Sequence, residues 1–122
     1  MPLVNISIPK GKSREFIKAI ADGVNSAVIE TMGFPDDDRY QIIHEHDTWC
    51  LEYQDRDKDR VMMFLIMRKG RRNDEKKAFY KKVVENLAKD PGIKPENVLI
   101  TIAENTDIDW SFRDGIAQFI PY

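Results

Sequence analysis

Shifted by 59 positions, the sequence falls on itself. The run PKGK at 9–12 meets RKGR at 68–71, Gly11 meets Gly70, and Gly33 meets Gly92. The apolar residues Ile20, Val24 and Val28 meet Phe79, Val83 and Leu87, all at the spacing of one helical face. A chain written twice in this way is constrained to fold as one unit repeated. Each half reads as strand–helix–strand, and right-handed crossovers make the two strands of each unit parallel. Two such units side by side predict an α/β (α+β) architecture: a four-stranded mixed sheet with two helices on one face. The expectation is a single domain over 1–122, with repeats at about 2–59 and 61–118.

LVNISI alternates as a strand, placing Val4, Ile6 and Ile8 on one side. Ser13 is positioned to cap a helix to about Met32. Phe16, Ile17, Ile20, Val24, Ala27, Val28 and Thr31 form its buried stripe, and Gly33 ends it. RYQIIHEH is a second strand. The polar stretch DTWCLEYQDRDKDR predicts a connection with a ragged hairpin around Trp49, Leu51 and Tyr53. VMMFLIM is a third strand, Asn73 the expected cap of a second helix to about Lys89, and VLITIAE a fourth strand. The third strand is apolar on both faces, the pattern of a strand buried on both sides. Two helices cover one face only. The other face calls for self-association, or for the short tail from residue 105 to fold across it.

A formal charge of −2 gives no general attraction to nucleic acid or to an anionic membrane. With 42% hydrophobic residues, the chain can bury a core of its own. The single cysteine, Cys50, cannot form an internal disulfide, which fits a reducing compartment. No run approaches the length of a membrane span, and the amino terminus has no signal-peptide apolar segment. The expectation is a cytoplasmic protein with neither nucleic acid nor membrane as partner.

Pro2 stands where a strand starts, a place that tolerates a residue without an amide donor. Its counterpart in the second unit is Val61, so the strand itself does not require proline. The chemical reading is that removal of Met1 leaves Pro2 as a free secondary amine, a base or nucleophile of adjustable pKa. In MRKGRR, the cations Arg68, Lys69, Arg71 and Arg72 gather around a glycine just past a strand end. That is either a solvated loop or an anion-binding corner, since guanidinium grips a carboxylate through two parallel hydrogen bonds. The acids of PDDDRYQ are turn residues, or supply one carboxylate to a cleft. His44 and His46 share a strand face without a third ligand at a convincing spacing, so no metal is expected. Trp110 and Phe112, with Phe119 seven residues on, are packing residues or the wall of a small pocket. Cys50 is given no role.

MPL at the start, GFPDDDRYQ after the first helix, RKGRRNDEKKAFY into the second and ENTDIDWSF near the end together resemble the tautomerase superfamily. The nearest likeness is its malonate semialdehyde decarboxylase-like branch, over nearly the whole chain. That resemblance implies a duplicated strand–helix–strand fold assembled as a homotrimer. It implies that Pro2 is the catalytic amine, that Asp38 works beside it, and that Arg71 binds a substrate carboxylate. Lys69 stands where the branch has the first arginine of a pair; Arg68 is adjacent, but at the opposite alternation if the strand continues. Lys69 and Arg39 are therefore the expected substrate-binding partners, and Trp110, Phe112 and Phe119 the aromatic wall. Lysine keeps the charge and loses the planar fork, which weighs against decarboxylation more than against tautomerisation.

Three readings stand. The leading one is an isomerase, with Pro2 as general base for enol–keto tautomerisation of a small 2-oxo carboxylic acid. The second is a carbon–carbon lyase decarboxylating a 3-oxo acid such as malonate semialdehyde, with Pro2 as acid or Schiff-base nucleophile. The third is a non-catalytic trimeric binding or scaffold protein. None implies a cofactor.

Overall fold

Two strand–helix–strand units lie side by side in the computed structural model, which describes residues 2–122. Strand β1 (Leu3–Pro9), helix α1 (Arg14–Met32) and strand β2 (Tyr40–His46) form the first; strand β3 (Val61–Arg68), helix α2 (Asn73–Lys89) and strand β4 (Val98–Asn105) form the second. The sheet order is β2-β1-β3-β4. β1 runs parallel to β2 and β3 parallel to β4, while the central pair β1 and β3 is antiparallel with Asn5 opposite Phe64. This is the four-stranded mixed sheet with two helices that the sequence predicts.

The helix ends show how local chemistry sets the boundaries. Ser13 is extended and its hydroxyl accepts the Phe16 N–H at 3.1 Å, satisfying one of the donors a helix start leaves unpaired. Gly33 closes α1 at φ 71°, a left-handed conformation that glycine adopts without steric cost, and its N–H donates to Ile29 O at 3.2 Å. α2 corrects the expected cap: Arg72 is the capping residue and Asn73 is the first helical one. The Arg72 N–H donates to Glu75 Oε1 at 2.9 Å, so the helix start is secured by the acid three residues on and not by a side chain at Asn73.

Strand alternation sorts the side chains. Val4, Ile6 and Ile8 of β1 and Val61, Met63, Leu65 and Met67 of β3 are buried against Ile20, Val24 and Val28 of α1 and Phe79, Val83 and Leu87 of α2. Each such large side chain contributes about 1.5–3 kcal/mol by leaving water. The helices touch at Gly23, where an added Cβ would lie 3.1 Å from Leu87 Cδ2, and Asn86 Nδ2 donates to Gly23 O at 2.9 Å.

The opposite sheet face is left open in its middle within the single chain. Ile42 and Phe64 flank Asn5 there and are 47% and 46% exposed. The tail returns only to one end of this face, where Phe112 meets Tyr40 at 5.7 Å between ring centroids. The connection 47–60 is not a hairpin: it holds a 3₁₀ turn at Thr48–Cys50 and an isolated bridge between Tyr53 and Asp55. Arg60 pins it from within, donating to Leu51 O at 2.8 Å and Thr48 O at 2.7 Å.

Candidate active site

The end of the sheet where β1 begins gathers the reactive side chains. Leu3 pairs with Tyr40 on β2 and with Ile66 on β3. Pro2, buried just before Leu3, therefore lies at the same end as the start of β2 and the finish of β3. A cleft of about 420 Å³ opens there, lined by the turn after α1, the approach to β2, the end of β3 and the tail.

Arg71 is the best-defined group in it. The turn at Gly33 tucks Phe34 into the core at 7% exposure, and the Arg71 guanidinium carbon stands 4.1 Å from the Phe34 ring centroid. Arg71 Nε donates to Met32 O at 2.9 Å. One face and one donor are thus occupied, and among the described residues its terminal nitrogens have no hydrogen-bond partner. A guanidinium fixed in this way presents its two-nitrogen edge as a fork for a carboxylate. The loop that carries it turns at Gly70, whose φ of 130° favours glycine.

Arg68, the last residue of β3, lines the same cleft. Its guanidinium carbon lies 3.6 Å from the Phe119 ring centroid, and Nη1 donates to Asp107 Oδ1 at 3.0 Å. Asp38 enters from the turn before β2, its backbone N–H donating to Pro35 O at 3.2 Å. Burial first, and then the Asp38 carboxylate beside it, push the Tyr40 phenol above its ordinary value. The aromatic wall is a stack. Trp110 lies on Phe112 at 5.5 Å and 13°, and Phe112 meets Phe119 edge-on at 5.4 Å. Such pairs contribute about 0.5–1.5 kcal/mol beyond their burial. The Trp110 indole N–H donates to Asn105 Oδ1 at 2.7 Å, anchoring the wall to the end of β4.

Comparison with known proteins identifies this arrangement. A family profile described as tautomerase enzyme matches residues 38–113, and a second of the same description matches residues 2–49. "Probable tautomerase YrdN" of Bacillus subtilis (strain 168) is 32% identical over 98% of this chain and 97% of its own. The chain belongs to the tautomerase superfamily. A solved malonate semialdehyde decarboxylase, described with decarboxylase and hydratase activities, is 32% identical with a TM-score of 0.91, covering 96% of this chain and 95% of that one. This places the chain in the malonate semialdehyde decarboxylase-like branch of that superfamily. A fused 4-OT solved as a symmetric trimer shares the fold, with a TM-score of 0.80 at 16% identity over 93% of this chain and 94% of that one.

Of the residues expected from the sequence, the fold brings Asp38, Arg71, Phe112 and Phe119 to one cleft. Trp110 stands behind Phe112, and Pro2 is buried at the same end of the sheet without lining the cleft among the described residues. Two expected partners are placed elsewhere. Lys69 donates its backbone N–H to Asn105 O at 2.9 Å, the bond that closes the last ladder pair of Arg68 with Asn105, and lies itself at a bend past the strand end. It lines a neighbouring depression with Thr106, Asp107 and Ile120 and not the cleft that Arg68 lines. Arg39 turns away to Asp22 Oδ1 at 2.9 Å and Gln41 Oε1 at 3.2 Å, and with Lys18 holds the Asp22 carboxyl below its usual range.

The cleft also holds Phe34, Tyr40 and Gln118, to which the sequence assigned no role, and Arg68, which it placed in the cationic corner but not among the substrate-binding residues. Phe34 had a signal, because an apolar residue directly after a capping glycine commonly packs back on its helix. The histidines serve the sheet face, His44 Nε2 lying 3.0 Å from Asn5 Oδ1 and His46 Nε2 3.0 Å from Ser7 Oγ. Among the described residues no three His, Cys, Asp or Glu side chains are grouped to hold a metal, and no helix is long and apolar enough to cross a membrane.

Proposed function

We propose that Pro2, freed by loss of Met1, is the general base of an enol–keto tautomerase acting on small 2-oxo carboxylic acids. Met1 itself lies outside the described residues. The observation that carries this reading is Arg71. It is a guanidinium fixed by Phe34 and Met32, with its terminal nitrogens unpaired among the described residues. It shares a cleft with Asp38 and an aromatic wall, at the sheet end where Pro2 is buried.

An ordinary α-amino group titrates near pH ~8. Burial and the cations of Arg68 and Arg71 disfavour the ammonium form and draw that value down. A neutral amine near physiological pH is then available as base. It takes the proton of the enol hydroxyl and returns a proton to C3, while the C2–C3 electron pair moves to bond it and C2–O becomes the carbonyl. Arg71 holds the carboxylate and opposes the negative charge that develops in the enolate. Phe112 and Phe119 take the apolar end of the substrate. The half-open sheet face supports a homotrimer as the working form.

A second reading is favoured by Asp38 and by the likeness to malonate semialdehyde decarboxylase. There a charged Pro2 acts as acid or Schiff-base nucleophile, and Asp38 orients the aldehyde or a water. Both readings need an unblocked nitrogen. Chain that has lost Met1 is therefore expected to turn over a phenylenolpyruvate probe, and chain that retains it to lose roughly 10²–10⁴-fold of that rate. Intact mass identifies the two forms, and equal rates from both would overturn the proline mechanism.

A further inference from the structure

We infer that Arg68, rather than Lys69, is the second cation of this cleft and recognises the oxygen on C2 of the substrate. The inference rests on the reading of the cleft as a 2-oxo acid site, and goes beyond it by assigning what distinguishes a 2-oxo acid from a plain carboxylate.

The placement follows from where the strand ends. Ladder pairing stops at Arg68, opposite Asn105, in a pair closed by the Lys69 N–H, and the chain bends at Lys69. Arg68, the last residue of the strand, lines the cleft, and Lys69, past the strand end, lines a neighbouring depression instead. The repeat does not require arginine there, since the equivalent position of the first unit is Pro9.

The guanidinium is oriented but not used up. Its plane lies against Phe119 at 3.6 Å, and of its five N–H donors one, on Nη1, goes to Asp107. Among the described residues the donors on Nε and Nη2 have no partner. The Asp107 side chain is 56% exposed, and an ion pair so open to water contributes only about 0–1 kcal/mol. It steadies Arg68 without competing strongly for it. With the carboxylate on Arg71, the next oxygen along a 2-oxo acid is the one on C2, which gains charge as the enolate forms. A planar cation at that oxygen selects for its presence and opposes that charge.

The test is equilibrium binding, which does not depend on turnover. Calorimetric titration with phenylpyruvate and with 3-phenylpropanoate compares two acids of one carbon skeleton, with and without the C2 oxygen. Wild-type protein is expected to prefer phenylpyruvate by about tenfold, the equivalent of one charge-assisted hydrogen bond at the low end of its range. Arg68→Met should abolish the preference while changing 3-phenylpropanoate affinity less than twofold, and Lys69→Met should leave both affinities alone. Arg68→Lys keeps the stem and charge, guards against a folding defect, and should lose part of the preference. A preference that survives Arg68→Met, or one that disappears in Lys69→Met, overturns the inference and leaves the carboxylate site standing. Binding of both acids that ignores Arg71→Met would instead overturn the reading of the cleft, and this inference with it.

Discussion

An arginine binds a carboxylate selectively only when its plane is held, because otherwise the entropy of ordering a long side chain offsets the hydrogen bonds gained. Arg71 meets that condition through a ring on one face and a carbonyl on Nε. Charge-assisted hydrogen bonds contribute about 1.5–3 kcal/mol each. Arg71→Ala should therefore raise KM for a phenylenolpyruvate probe by roughly tenfold or more, with a smaller fall in kcat. Steady-state kinetics check this, and an unchanged KM and kcat would reduce Arg71 to a clasp between the β3–α2 loop and the end of α1. Asp38 and Arg71 were singled out by resemblance, on short motifs at turns, and the fold brings both to one cleft. The choice between Lys69 and Arg68 was not legible, since it requires knowing where the strand ends, and β3 pairs one step further than its apolar run.

At the level of elements, the sheet has one face sealed by two helices and one face half covered. VMMFLIM is apolar on both faces and calls for cover on both, yet within the chain only Val61, Met63, Leu65 and Met67 are buried, while Phe64 stays 46% exposed. The tail answers part of the need at the Tyr40 end, where Phe112 and Phe119 pack, and leaves Ile42 and Phe64 open. Phe64→Asp places a charge in the middle of that open patch. Because Phe64 supports little within its own chain, circular dichroism should show an intact fold. Sedimentation should show dissociation to monomers, since burying an unpaired carboxylate in an interface costs several kcal/mol. A variant that sediments as the wild type does would place the subunit contacts elsewhere.

For the whole molecule, helical and strand periodicity made the fold readable, because two amphipathic units with matched glycines admit few arrangements. Of the expected site residues, Asp38 and Arg71 lie beside those units and line the cleft. The sequence was least legible where the chain has no period to follow: the course of residues 105–122, which brings Phe119 over Arg68, is set by tertiary contacts such as Trp110 to Asn105. The connection 47–60 was misread as hairpin for the same reason, being held by Arg60 and by Asn97, which donates to Asp57 Oδ1 at 2.6 Å. What unites fold and site is the start of β1, buried at the cationic end of the sheet. The general-base mechanism depends on the proton state of the nitrogen there. Titration of the Pro2 amine by ¹⁵N NMR, on assembled protein free of Met1, measures it directly. A general-base Pro2 should show a midpoint at or below about pH 7, with kcat/KM falling as pH drops through it and the amine takes up a proton. A midpoint well above neutrality, leaving the amine charged where the enzyme works, would contradict the general-base mechanism.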